Sequence, residues 1–326
     1  LVISSSIGSG YRAVRVAVVG AGAIGGFIAA ALHRAGIDVA VVARGEHLAA
    51  MKRNGLRVRS DLGTLEARMR AAADLRELGD FDALLLTFKA HQWQEVLPQL
   101  EPFSGTATTV VTLQNGVPFW YVREPPLRSV DPGGRIGRLF ADEQVVGGVV
   151  HVSGHIASPG EIVQSGGTRY VFGPPQGGAA ARSARIAELF AGAGLTPELD
   201  PNVRSTVWLK LVNNVGLNSV SVLRRMTIAP MLADENARAQ VRELMAEALH
   251  VGQALGVVAD VDIDARIEYA ARLRDVKTSM LQDYERQRPL EFEPILGAVV
   301  ELAGRVHVDV PHVRAAYDAL RAAVAP

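Results

Sequence analysis

Arg15-Val-Ala-Val-Val19, Gly20-Ala-Gly-Ala-Ile-Gly-Gly26 and Phe27-Ile-Ala-Ala-Ala-Leu32 follow one another near the start of the chain. The β-branched run predicts a strand, the glycines a turn, and the apolar Ala-rich segment a helix. A second strand-like run, Asp38 to Ala43, closes a βαβ unit whose right-handed crossover makes the two strands parallel. Apolar runs at Ala83–Thr87, Thr109–Leu113 and Val145–Val150 continue the alternation. The first half is therefore expected to be α/β, a Rossmann-type doubly wound parallel sheet.

Gly20, Gly22 and Gly25 supply GxGxxG in the strand–turn–helix setting that gives it meaning. Gly20 permits the tight turn, Gly22 lets backbone approach a pyrophosphate, and Gly25 allows close helix–strand packing. The helix start at Ala23 and Ile24 offers free N–H groups and a positive dipole to phosphates. The second strand ends in Val42-Ala43-Arg44-Gly45, with no acid at its tip to hold a ribose 2′-hydroxyl. Arg44 stands where a guanidinium forks onto a 2′-phosphate, which favours NADPH. The competing reading is a solvated loop arginine, since Glu46 is only two residues on.

Outward from this unit, Val122 to Asp142 is rich in Pro, Gly and Arg, lacks an apolar period, and predicts a loop or flap. Val149 to Gly173 carries short alternating runs expected of antiparallel strands, and Ala179–Ala193 predicts a helix. After the break at Leu199–Val203 the pattern becomes helical: Ser205–Leu223, Ala233–Leu255, Asp262–Arg272, Phe292–Val306 and a last helix after Pro311. This divides the chain into a lead-in at 1–14 expected to be disordered, a NADP-binding sheet domain at 15–200, and an all-α domain at 201–326 expected to carry substrate and catalysis.

A chain of 326 residues is long enough for two cores with a cleft between them. Lys+Arg and Asp+Glu are equal at 34 each, which argues against a surface built for nucleic acid or anionic membrane and for a small-molecule partner. No apolar run approaches the roughly 18 residues that span a bilayer, and the opening lacks the pattern of a signal peptide. A soluble protein is expected, with the cytoplasm as default compartment. The absence of cysteine excludes disulfides and thiol nucleophiles, and the 8 histidines show no HExxH or HxH spacing, so no metal is expected.

In Trp208-Leu-Lys-Leu-Val-Asn-Asn-Val-Gly-Leu-Asn218, helical spacing puts Lys210, Asn214 and Asn218 on one face of an otherwise apolar helix. Such a stripe lines either a cavity or bulk solvent. Ketone reduction develops negative charge on oxygen, so a proton donor must wait there, and a partly dehydrated lysine suits that role. Lys210 is the candidate. His151, in a strand run, competes as a donor but reads more simply as a structural residue.

Taken together, GAGAIGG (Gly20–Gly26), VARG (Val42–Gly45), FKAHQ (Phe88–Gln92), LQNGV (Leu113–Val117), WLKLVNNVGLNSV (Trp208–Val220) and TSMLQDYERQRPLEFEPILG (Thr278–Gly297) make nearly the whole chain resemble the ketopantoate reductases. The resemblance implies NADPH-dependent reduction of 2-dehydropantoate to pantoate. It implies Lys210 as the catalytic proton donor and Glu291 as the glutamate holding the substrate hydroxyl and interacting with the lysine. It places Asn115 beside the nicotinamide ribose and the substrate, Asn214 and Asn218 on the substrate pocket, and Ser279 on the substrate carboxylate. Arg44 and Lys89 match basic residues near the adenosine end of NADPH, with Gln92 close by. A homodimer is left open.

The departures lie beside the pocket. Glu291 is followed by Phe-Glu-Pro-Ile-Leu-Gly where the family usually shows an Ile-Asp-type pair and then Asn-Gly, and the Val122–Asp142 loop is longer than in compact members. Substrate identity is thus less constrained than reaction type. The rival readings are the same chemistry on another small 2-keto acid, a related hydroxyacid dehydrogenase, and a non-catalytic NADP-binding sensor.

Overall fold

The structure is a computed structural model that describes residues 14–176, 178, 180–272 and 276–324. The lead-in expected at 1–14 lies, but for Val14, outside the described residues, as does Ala179 at the start of the helix predicted there.

The chain opens with β1 (Arg15–Val19), α1 (Ala23–Arg34), β2 (Asp38–Val42), α2 (Gly45–Asn54), β3 (Leu56–Ser60), β4 (Gly63–Ala67) and β5 (Arg70–Ala72). It continues through β6 (Ala83–Leu86), α3 (Trp93–Leu100), β7 (Thr109–Thr112), α4 (Arg135–Leu139), β8 (Val145–Ser158), β9 (Glu161–Gly173), α5 (Ala180–Gly192) and β10 (Thr196–Leu199). These strands form one sheet in the order β4-β3-β9-β8-β7-β6-β1-β2-β5, with β10 also paired to β9. From β5 to β8 neighbouring strands are parallel, as the βαβ reading requires. β9 returns antiparallel to β8.

The β3–β4 hairpin was not anticipated. Its Leu56, Val58, Leu65 and Ala67 alternate inward, but the hairpin joins the sheet only through β9, about a hundred residues on. Such a long-range partner leaves no local mark.

Strand residues alternate between two cores, as a period of two demands. Val16, Val18, Val39 and Val41 face α1 and α5, together with Phe27, Ile28 and Phe190. Ala17, Val19, Ala40 and Val42 face the other way, into a cluster that continues through Trp93, Phe119, Trp120 and Tyr121 into the helical part.

That helical part comprises α6 (Val203–Asn213), α7 (Ser219–Arg224), α8 (Ile228–Ala233), α9 (Glu235–Ala254), α10 (Ile263–Arg272), α11 (Ser279–Glu285), α12 (Ala298–Arg305) and α13 (Pro311–Ala323). One element of the reading needs correction. The expected uninterrupted helix from Ser205 to Leu223 is broken by a π-helical turn at Asn214–Asn218, and a second π turn at Glu293–Gly297 precedes α12. No helix among the described residues is long and apolar enough to cross a membrane.

The sheet and helices are joined by a continuous core. Tyr121 and Trp208, both fully buried, lie with ring centroids 5.9 Å apart. The Tyr121 hydroxyl donates to the Arg204 carbonyl at 3.0 Å, while the Arg204 guanidinium covers the ring at 4.4 Å and donates to the Tyr121 carbonyl. An aromatic pair of this kind adds about 0.5–1.5 kcal/mol beyond its buried area.

The Val122–Asp142 segment is a loop as far as Gly134, as expected, but its end forms the short helix α4, and the loop is strapped down. Arg305 donates to the carbonyls of Pro125 and Pro126, Glu301 accepts from the amides of Arg128 and Ser129, and buried Asp131 caps the turn into α4. It therefore packs along α12, not as a free flap.

Trp208 fixes the register of α6 by donating its indole N–H to the Ala248 carbonyl at 2.9 Å, and a Cβ built on Gly252 of α9 would lie 2.1 Å from that indole nitrogen. Gly252→Ala should lower unfolding free energy in urea by about 1–2 kcal/mol, because overpacking outweighs the gain in helix propensity of about 1 kcal/mol. A more stable variant would show that the α6–α9 contact has room to spare.

Candidate active site

The carboxyl ends of β1, β6 and β7 open at one edge of the sheet, where strand order reverses between β1 and β6. Gly20 turns there with φ of +105°, and a Cβ on it would sit 2.6 Å from the Phe88 amide nitrogen. The equivalent atom on Gly25 would lie 2.3 Å from the Gly20 carbonyl oxygen and 2.4 Å from Thr87 Oγ1. On Gly22 it would meet nothing within 4 Å. Two glycines are thus required by packing, and the third faces open space in front of α1. No side chain caps that helix start, so the first turn at Ala23 and Ile24 is available to an anion.

At the tip of β2, Arg44 is exposed and ion-paired at 2.5 Å with Glu95 in the first turn of α3. The turn after β6 is held by Gln92, whose Oε1 accepts from the Lys89 amide at 3.0 Å. The Lys89 ammonium, however, pairs with Asp283, a buried carboxylate on α11.

The loop after β7 carries Asn115. Gln114 ties it to the β6 loop by donating to the Phe88 carbonyl at 2.9 Å, and Gly116, at φ of +84°, presses so closely on Pro294 that a Cβ would lie 2.5 Å from that carbonyl oxygen. The Val117 amide completes the contact by donating to the Pro294 oxygen at 2.8 Å. The Glu-Pro-Ile-Leu-Gly sequence is thus a docking surface for the LQNGV loop.

Across this junction runs a polar chain. The Lys210 ammonium donates to Asn115 Oδ1 at 2.9 Å, leaving the Asn115 amide hydrogens for the Glu291 carboxylate. The other Glu291 anchor is the Ala90 amide, which donates to Oε1 at 3.0 Å. Burial pulls Lys210 down to about 8, against the raising effect of the Glu291 charge. Burial also raises Glu291, opposed by the Ala90 amide, the Lys89 charge and Asn115.

The adjoining cavity is lined by Asn115, Gly148, Val149, Val207, Lys210 and Asn214, among others. Asn218 is buried in the π turn and is not one of its lining residues; a π turn advances more residues per turn than an α-helix, which breaks the i+8 relation to Lys210. Ser279 is exposed at the start of α11, one turn before Asp283. His151, exposed on β8, is depressed to about 4, by partial desolvation first and then by the charges of Lys210 and Arg169, which disfavours the protonated form a donor would need.

Spacing in the sequence did not point to Gly148 and Val149, the Ala90 amide, Asp283 or Glu95. Asp283 carries a signal in hindsight, being one helical turn after Ser279 in the same motif.

Residues 16–177 match the family of ketopantoate reductase PanE/ApbA, and residues 202–324 match its C-terminal domain family, ketopantoate reductase PanE/ApbA C terminal. A 2-dehydropantoate 2-reductase of Mesorhizobium japonicum is 40% identical over 316 residues, 94% of this chain and 97% of that one. A crystal structure from Ralstonia solanacearum, provisionally assigned as a ketopantoate reductase, superposes with a TM-score of 0.89 at 36% identity, covering 96% of this chain and 98% of that one. The 2-dehydropantoate 2-reductase of Geobacter metallireducens gives a TM-score of 0.86 at 27% identity, covering 95% and 100%. Matched through both its sheet and its helices, the chain belongs to the ketopantoate reductase family of oxidoreductases.

Proposed function

We propose that this protein reduces 2-dehydropantoate to pantoate with NADPH, and that Lys210 delivers the proton. The observation that carries the reading is the Lys210–Asn115–Glu291 chain, which brings a depressed lysine to the same sheet edge as the glycine turn. The names of the Mesorhizobium and Geobacter relatives support the substrate.

The glycine turn fits a dinucleotide: open space at Gly22 faces an uncapped helix start. Gly20, Gly22, Ala23, Ile24 and Gly25 would hold the pyrophosphate and Arg44 the 2′-phosphate, with Lys89 and Gln92 on the turn between. Asn115 would stand at the nicotinamide ribose. Bound NADPH supplies the hydride to the keto carbon.

The protein's own part is electrostatic and protic. Lys210 meets the oxygen that becomes an alkoxide and neutralises it by donating a proton from Nζ. A value of about 8 keeps the ammonium mostly charged at neutral pH while making it a better acid than a free lysine. Asn115 aims that ammonium by accepting one of its hydrogens, and Glu291 fixes the carboxamide from the other side. Glu291 is assigned to the substrate hydroxyl, Asn214 to the wall of the substrate pocket and Ser279 to the substrate carboxylate, while Asn218, buried behind that wall, has no direct contact with substrate.

Purified protein should oxidise NADPH with 2-dehydropantoate faster than with other small 2-keto acids. If 2-dehydropantoate ranked among the poorest substrates, the chemistry would stand and the substrate would change; tight NADPH binding without turnover on any keto acid would point to a sensor. Lys210→Ala should lower kcat by about a hundredfold or more with little change in NADPH affinity. In the wild type, kcat for reduction should fall as pH rises through about 8, because the donor form of Lys210 is lost. A profile flat across that range would remove Lys210 from the acid role.

A further inference from the structure

We propose that Glu95 sets the cofactor preference, by acting as a built-in competitor for Arg44 at the adenosine 2′ position. The inference rests on the dinucleotide reading of the glycine turn and goes beyond it. Arg44 stands at the start of α2, where a positive side chain faces the positive end of the helix dipole, an arrangement that favours an anion nearby. In this structure that anion is Glu95, whose Oε2 lies 2.5 Å from Arg44 Nη1. Glu95 comes from the first turn of α3, so the pair bridges the two helix starts that follow β2 and β6, on either side of the glycine turn.

The consequence differs for the two cofactors. A 2′-phosphate carries close to two negative charges and must share Arg44 with Glu95, which stands as a repelling neighbour. A free 2′-hydroxyl needs an acceptor, and Glu95 supplies one while keeping its arginine. Side-chain exposure of 38% for Arg44 and 62% for Glu95 leaves the pair easy to open. The protein therefore binds NADPH with its discrimination against NADH held down by Glu95. Glu46, exposed on the first turn of α2, adds negative charge on the same segment.

The test uses fragments that lack the nicotinamide, so it does not depend on turnover. Calorimetric titration of the full chain with 2′,5′-ADP and with 5′-AMP gives the ratio of their dissociation constants. In Glu95→Gln this ratio should shift toward 2′,5′-ADP by about fivefold, the scale of one exposed ion pair, and the NADPH-to-NADH ratio of kcat/KM should move the same way. Arg44→Ala should shift both ratios in the opposite direction. Binding of both fragments with a ratio in Glu95→Gln within about twofold of wild type would overturn the role of Glu95 alone. Failure of the wild type to bind 2′,5′-ADP, NADPH or NADH would overturn the dinucleotide reading along with it.

Discussion

Lys210 hangs on one hydrogen bond that crosses the molecule, from its ammonium on α6 to Asn115 Oδ1 in the loop after β7. Everything around it narrows the freedom of those two groups. Gly116 packs on Pro294, the Val117 amide bonds to the same residue, and Tyr121 and Trp208 share a core directly beneath α6. With apolar packing continuous between sheet and helices, the lysine keeps its position without help from a ligand. A pre-set donor of this kind lowers the reorganisation that charge development would otherwise require.

The same packing explains the acidity of the lysine. Desolvation makes the ammonium a stronger acid, and the Glu291 charge opposes that shift, while burial raises Glu291 itself. The π turn at Asn214–Asn218 belongs to this arrangement. It packs against both α9 and the second π turn at Glu293–Gly297, and each irregularity lies next to a residue of the polar chain. Irregular helix turns of this type recur where side chains must be re-aimed.

What was legible in the sequence is what local pattern determines. The glycine turn needs only three residues and its own strand and helix, and the structure shows Gly20 and Gly25 wedged as that motif requires. The central parallel strands β1, β6 and β7 were readable because each is buried on both faces and so carries an unbroken apolar run, whereas β5 and β10, parallel but partly exposed, carry none and went unread. The β3–β4 hairpin was hidden because its stabilising partner is remote. On the helical side, regular spacing suggested one face for Lys210, Asn214 and Asn218, and the π turn moved Asn218 into the core. Pairings such as Arg44–Glu95 and Lys89–Asp283 depend on how separate elements meet, which no spacing rule encodes.

The most direct test is a crystal structure of the protein with NADP+ and pantoate bound together. The pantoate C2 oxygen should lie within about 3 Å of Lys210 Nζ, with Asn115 still accepting from that ammonium. A C2 oxygen out of reach of Lys210, or held by a different donor such as His151, would contradict it.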